Sequence, residues 1–179
     1  IQSFSRTEGL QNNNVLSVFS DSQHNLWLGL DNGIDLVTYN SSIKQIKPLL
    51  QDGSGYTAIK YDNRLYLGTS NGLYSVPLQP VPDMSFSKGY FTAVNNTLGQ
   101  TWGLANVNKQ LLLGHHEGAF VVSNNNAVPI AANKGFWNFV PLSNTFPAQQ
   151  MVSGGYNGLT IFNYQNNQFS FLRSIPGFN

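Results

Sequence analysis

Leu26-Trp27-Leu28-Gly29, followed three residues later by Gly33-Ile34, is the stretch on which the fold turns. An apolar run of strand length that ends in glycine, a short polar gap and a second glycine read as two strands joined by a tight turn. The same arrangement returns in Leu65-Tyr66-Leu67-Gly68 to Gly72-Leu73, in Leu111-Leu112-Leu113-Gly114 to Gly118-Ala119, and in Met151-Val152-Ser153-Gly154 to Gly158-Leu159. The first glycines follow one another at intervals of 39, 46 and 40 residues. Four matches in order at that period are the mark of a repeat array.

Each unit supports the same strand reading. A short apolar strand comes first: Val15 to Phe19, Tyr56 to Ile59, Thr101 to Leu104, Phe136 to Val140. The second strand carries the glycine-terminated run, and both glycines are expected to serve a turn that needs positive φ. The third strand starts at the second glycine. Asn40-Ser41-Ser42, Asn124-Asn125-Asn126 and Asn166-Asn167 mark the turn to a fourth strand, because Asn tolerates the left-handed conformation. In the second unit Pro77 to Pro82 replaces that turn with a longer excursion. No segment holds helical apolar spacing. Sandwiches do not repeat in sequence and solenoid coils are shorter, so the pattern predicts an all-β protein, a β-propeller of four four-stranded antiparallel blades.

The predicted boundaries are 1–8 for an orphan outer strand, 9–50, 51–94, 95–132 and 133–173 for the blades, and 174–179 for the next connection. The out-of-phase strand at Ile1 to Arg6 points to part of a larger ring, of the seven-bladed type, or to two chains sharing blades. The chain opens at Ile1 rather than Met, which suggests a piece of something longer or a processed product.

Of the 179 residues 41% are hydrophobic, enough for a packed core, and only 9% are charged against roughly 25% in an average soluble protein. Net charge is +1 with scattered Lys and Arg, so nothing here neutralises a row of phosphates and no nucleic-acid partner is expected. No apolar run approaches the ~20 residues that span a bilayer, and no membrane contact is expected of this segment. Zero cysteines exclude disulfides and thiolate metal sites.

Gly9-Leu10-Gln11-Asn12-Asn13-Asn14-Val15, then Asp21-Ser22-Gln23-His24-Asn25-Leu26-Trp27-Leu28-Gly29, then Asp31-Asn32-Gly33-Ile34 resembles the two-component regulator propeller repeat, with His24 where that family usually has Gly. The resemblance is close in this unit, partial over Leu65 to Leu73 and faint beyond. It implies the periplasmic ligand-sensing region of a membrane-anchored Bacteroidetes regulator, often responsive to glycan-derived ligands. A three-tyrosine domain, a membrane helix and a kinase or DNA-binding output would lie elsewhere in such a protein.

In a propeller, the glycine turn and the segment leading into each first strand share one face. That places Asp31, Asn32, Ser70, Asn71, His115, His116, Glu117, Tyr156 and Asn157 beside Asn12 to Asn14, Asp52, Ser54, Gln100 to Trp102, Phe136 and Trp137. His115-His116-Glu117 is the densest ionisable cluster; its plainer reading is a solvated turn, and a metal would need a third ligand, so none is expected. Trp102 and Trp137 offer faces for sugar rings, although wedging between neighbouring blades is the simpler reading. Trp27 reads as packing. There is no Gly-x-Ser-x-Gly, His-Glu-x-x-His or phosphate loop, so no enzyme and no cofactor is expected. Asp31, Asp52 and Glu117 are the carboxylates that an acid/base pair on this face would have to use. The expected function is a non-catalytic sensor segment whose partners are a glycan-derived ligand and the rest of the ring or a second copy. The rival is a scaffold that presents a flat face to a protein.

Overall fold

The structure, a computed structural model, describes residues 3–38, 46, 48, 53–78, 91–132 and 134–178. The chain divides into two compact units, Ile1–Gln45 and Ile46–Asn179. One three-stranded and three four-stranded sheets carry the strands in sequence order, each strand antiparallel to the next within its sheet. These are propeller blades.

The first unit holds β1 (Val15–Ser20), β2 (Leu26–Leu30) and β3 (Gly33–Val37). The Asn40-Ser41-Ser42 turn lies outside the described residues. Leu10, Leu28 and Leu30 form its small core, flanked by Leu26 and Val37. The β1–β2 turn is organised by Asp21, whose carboxylate accepts from the N–H groups of Gln23 and Asn25 and from the Trp27 indole. The Trp27 bond does most to hold the Asp21 carboxyl below its usual range. His24 has φ 64°, a left-handed conformation that glycine adopts more readily than other residues. Of the outer strand expected over Ile1 to Arg6, the described residues Ser3 to Ser5 are in no strand and Arg6 opens a 3-10 turn, Arg6–Glu8. Ser5 and Glu8 cap each other there in a capping box, and Gly9 closes the turn at φ 114°. Local capping satisfies the backbone groups that a ladder would have used.

The second unit has three blades. The first holds β4 (Gly55–Tyr61), β5 (Arg64–Thr69), β6 (Gly72–Pro77) and β7 (Thr92–Ala93). Next come β8 (Thr101–Val107), β9 (Gln110–His115), β10 (Gly118–Ser123) and β11 (Asn126–Ala132). The last has β12 (Phe136–Pro141), β13 (Gln150–Gly155), β14 (Gly158–Gln165) and β15 (Gln168–Ile175), so its outer strand runs two residues past Arg173. Most of the Pro77 to Pro82 excursion lies outside the described residues. Asp62-Asn63, Asn108-Lys109, Asn124-Asn125 and Asn166-Asn167 all have positive φ at both central positions, the type I′ pattern that suits twisted hairpins.

Leu111-Leu112-Leu113 shows why the second strands are continuously apolar. Leu111 and Leu113 pack with Tyr66 and Leu73 of the preceding blade. Leu112 points the other way, to Phe136, Phe139, Met151 and Phe162 of the following one. A strand buried on both faces has no polar side.

Two of the first glycines, Gly68 and Gly114, have a role other than the one expected. Positive φ falls on Gly33, Gly72 and Gly158, three of the four second glycines, and on none of the first glycines. A Cβ on Gly68 would sit 2.6 Å from Cγ2 of Thr101, and one on Gly114 2.5 Å from the Trp137 carbonyl oxygen. Gly68 and Gly114 each lie in their strand and admit the first strand of the next blade.

Candidate functional site

Every first strand carries one β-bulge at its start. The register slips between Val15 and Ser17, Gly55 and Thr57, Thr101 and Gly103, and Phe136 and Phe139. The second residue of each strand falls in the bulge: Leu16, Tyr56, Trp102 and Trp137. A bulge re-aims its side chain and increases local twist. Four large side chains are thereby displaced from the regular alternation at the same place in the repeat.

The glycine turn and the lead-in segment do share one end of each blade, and a clasp joins them. Asn14 Nδ2 donates to Asp31 Oδ2 over 2.5 Å. Ser70 N–H donates to Ser54 O (2.9 Å), and Ser54 N–H returns to Ser70 Oγ (3.2 Å). His116 N–H donates to Gln100 O (3.1 Å), and Gln100 N–H returns to His116 Nδ1 (3.2 Å). Tyr156 N–H donates to Gly135 O over 3.3 Å.

In the second unit this end brings Trp102, Trp137 and Tyr156 together. Trp102 lies 6.2 Å from Trp137 and 5.2 Å from Tyr156, centroid to centroid, and Trp137 lies 6.1 Å from Tyr156. Both contacts of Tyr156 are edge-on, the favoured aromatic geometry. Trp102 is half-buried, whereas Trp137 is 43% and Tyr156 62% exposed. Gly135 lies beneath them; a Cβ there would fall 2.6 Å from the Tyr156 ring and 2.9 Å from Trp102. Trp102 thus takes the wedge position between two blades, while Trp137 and Tyr156 present ring surface to solvent.

The histidine cluster splits. His115 is 1% exposed, against the expectation of a turn residue open to ligand. It is the last residue of β9, edge-on to Phe120 at 5.6 Å, and its Nδ1 accepts from Glu117 N–H. Its buried Nε2 and the Oγ1 of Thr101, its cross-strand partner, have no hydrogen-bond partner among the described residues. Burial, with His116 second, pushes the His115 imidazole below its usual value. An unfolded histidine titrates near 6.5. Below that pH the unfolded chain takes up a proton that native His115 refuses, so stability falls as pH drops. Urea midpoints between pH 7.5 and 5 are expected to decline more steeply in the natural chain than in His115→Gln. Parallel curves would show that His115 is not the group responsible.

Glu117 is exposed, with Oε1 3.7 Å from His116 Nε2. Asn71 and Asn157 are exposed turn residues, and Asn71 N–H donates to Thr69 Oγ1. Asp31 is exposed in the first unit, and Asp52 lies outside the described residues. Among the described residues no cluster of three acidic or histidine side chains is placed to hold a metal. Sequence reasoning missed the supporting glycine Gly135. It also missed the shared bulge position, which aligning the four first strands by their opening residue would have revealed. The larger cavity, about 610 Å³, lies at the other end of the strands among Lys109, Val121, Pro129, Asn167 and Phe169.

Residues 9–32 match the family model of the two component regulator propeller. No curated protein matches the chain. Among solved structures, one described as the extracellular domain of a hybrid two component system from B. thetaiotaomicron is similar over 99% of this chain, with a TM-score of 0.65 at 15% identity. Another from the same organism, described as the extracellular domain of a one component system, covers 94% at a TM-score of 0.56 and 18% identity. The chain spans 24% and 26% of those two chains, so what they share is the fold.

Proposed function

We propose that this chain is a non-catalytic, ligand-sensing part of a periplasmic receptor of the two-component regulator propeller family, and that a glycan-derived ligand docks on Trp137 and Tyr156. The observation that carries the reading is the aromatic patch. Within this chain, two rings with exposed surface stand on the last sheet, held by a third ring and by bare backbone at Gly135. Flat apolar ring faces suit the C–H faces of sugar rings, and the neutral amides of Asn157 and Asn138 flank them in sequence. The low charge of the chain fits a neutral ligand. The large groove at the far end of the strands lacks this pairing of exposed ring faces.

Calorimetric titration with a panel of neutral oligosaccharides tests it. Trp137→Ala is expected to weaken binding about tenfold, which is about 1.4 kcal/mol. Tyr156→Ala should act in the same direction. No binding by any member of the panel, or unchanged binding by Trp137→Ala, would sink the proposal. A protein-docking scaffold is the second reading, favoured by one observation: the aromatic residues form an exposed patch rather than an enclosed cleft. Signalling would follow only if the ligand prefers one of two receptor states, since binding shifts an equilibrium by its differential affinity.

A further inference from the structure

The clasp in the blade that carries Trp102 has the same reciprocal form as that of Ser54 and Ser70, except that its side-chain acceptor is an imidazole. Ser70 Oγ accepts from Ser54 N–H whatever the pH, and a hydroxyl stays a hydroxyl. His116 Nδ1 accepts from Gln100 N–H only while that nitrogen is unprotonated. Once protonated, Nδ1 carries a hydrogen aimed at another hydrogen, and an accepting contact becomes a repulsive one. The ring lies over the bare backbone of Gly99, where a Cβ would collide with Cε1, and packs tilted against His115 with centroids 4.3 Å apart.

We propose that His116 is a proton-operated control on the aromatic site: its protonation releases Gln100, loosens the bulge that holds Trp102, and weakens ligand binding in mild acid. Gln100 is two residues from Trp102, and Trp102 supports both Trp137 and Tyr156. The titratable groups facing His116 are Glu117 and His115. The Glu117 carboxylate lies 3.7 Å from Nε2, and His115 is kept neutral by burial and by its own bond from Glu117 N–H. Histidine is the side chain whose charge changes most readily in mild acid, which suits it to such a control. The inference rests on the reading of the patch as a ligand site, but the clasp itself can be judged without any ligand.

The experiment follows the Gln100 amide and the Trp102 indole N–H by NMR from pH 8 to 5 in the full chain, natural and His116→Ser. Serine restores the acceptor used by the neighbouring blade and does not titrate. In the natural chain both signals should move with the midpoint of the His116 ring; in His116→Ser both should stay. Equal movement of Trp102 in the two proteins, or a still Gln100 while His116 titrates, would overturn the inference. A second arm uses maltohexaose, xylohexaose and laminarihexaose. For a sugar bound at pH 7.5, Kd should rise about fivefold at pH 5.5 in the natural chain, in line with loss of one hydrogen bond, and stay constant in His116→Ser. An equal rise in both would count against the control. If none of the three binds at pH 7.5, the ligand reading loses support while the NMR titration still decides the clasp.

Discussion

Gly114→Val is expected to cost about 3 kcal/mol of stability, the upper end of what overpacking usually costs. The new Cβ alone would stand 2.5 Å from the Trp137 carbonyl oxygen and 2.6 Å from that of Phe136. Both obstacles are backbone, so no rotamer change relieves them, and β12 would have to withdraw from β9. Gly103, which pairs with Gly114 across the ladder, meets the same Trp137 oxygen even more closely, so both partners of that pair need bare backbone. Gly55→Ala is the control. Nothing lies within 4 Å of a Cβ there, and the change should stay within about 0.5 kcal/mol. Equal urea midpoints for the two variants would show that the close approach of the blades is not what Gly114 serves. The effect reaches function, because the displaced strand carries Trp137.

Phe162→Ala should cost still more, about 4 kcal/mol, by lost transfer energy and an unfilled cavity. Phe162 is fully buried in the cluster between the last two blades. Its ring meets Phe136 edge-on at 5.4 Å and Phe139 at 6.0 Å. Phe136 precedes Trp137 in the chain, so the cavity would open beneath the strand that displays the aromatic patch. Phe171, 45% exposed and 6.5 Å from Phe162, is the comparison; its alanine variant should cost about 1 kcal/mol. A thermal or urea scan that ranks Phe171→Ala as the costlier change would contradict the packing described above.

Much of this was legible because the signals are local. Asn124-Asn125 and Asn166-Asn167 adopt the left-handed turn that asparagine tolerates, and the strands begin within a residue or so of where apolar alternation begins. Where the reading failed, a competing local or distant contact was responsible. Ser5 and Glu8 are three residues apart and cap one another, which sets a 3-10 turn where the expected strand would end. His115 looked like part of a polar turn, yet its position at the end of β9 places it against Phe120. The pairing of glycines looked like turn chemistry throughout, but in Gly68 and Gly114 it records the approach of the next blade.

The repeat, the strand periods and the family resemblance were determined by the amino-acid sequence alone, since each depends on residues a few places apart. Which aromatic ring is wedged and which faces solvent was decided only by tertiary structure. Trp102 and Trp137 occupy the same position in their repeats and differ in exposure, because Gly135 and Tyr156 of the following blade lie against Trp102. Burial of a bulged side chain depends on the neighbouring blade, whose residues lie more than thirty positions away, and no pattern within one repeat encodes that contact.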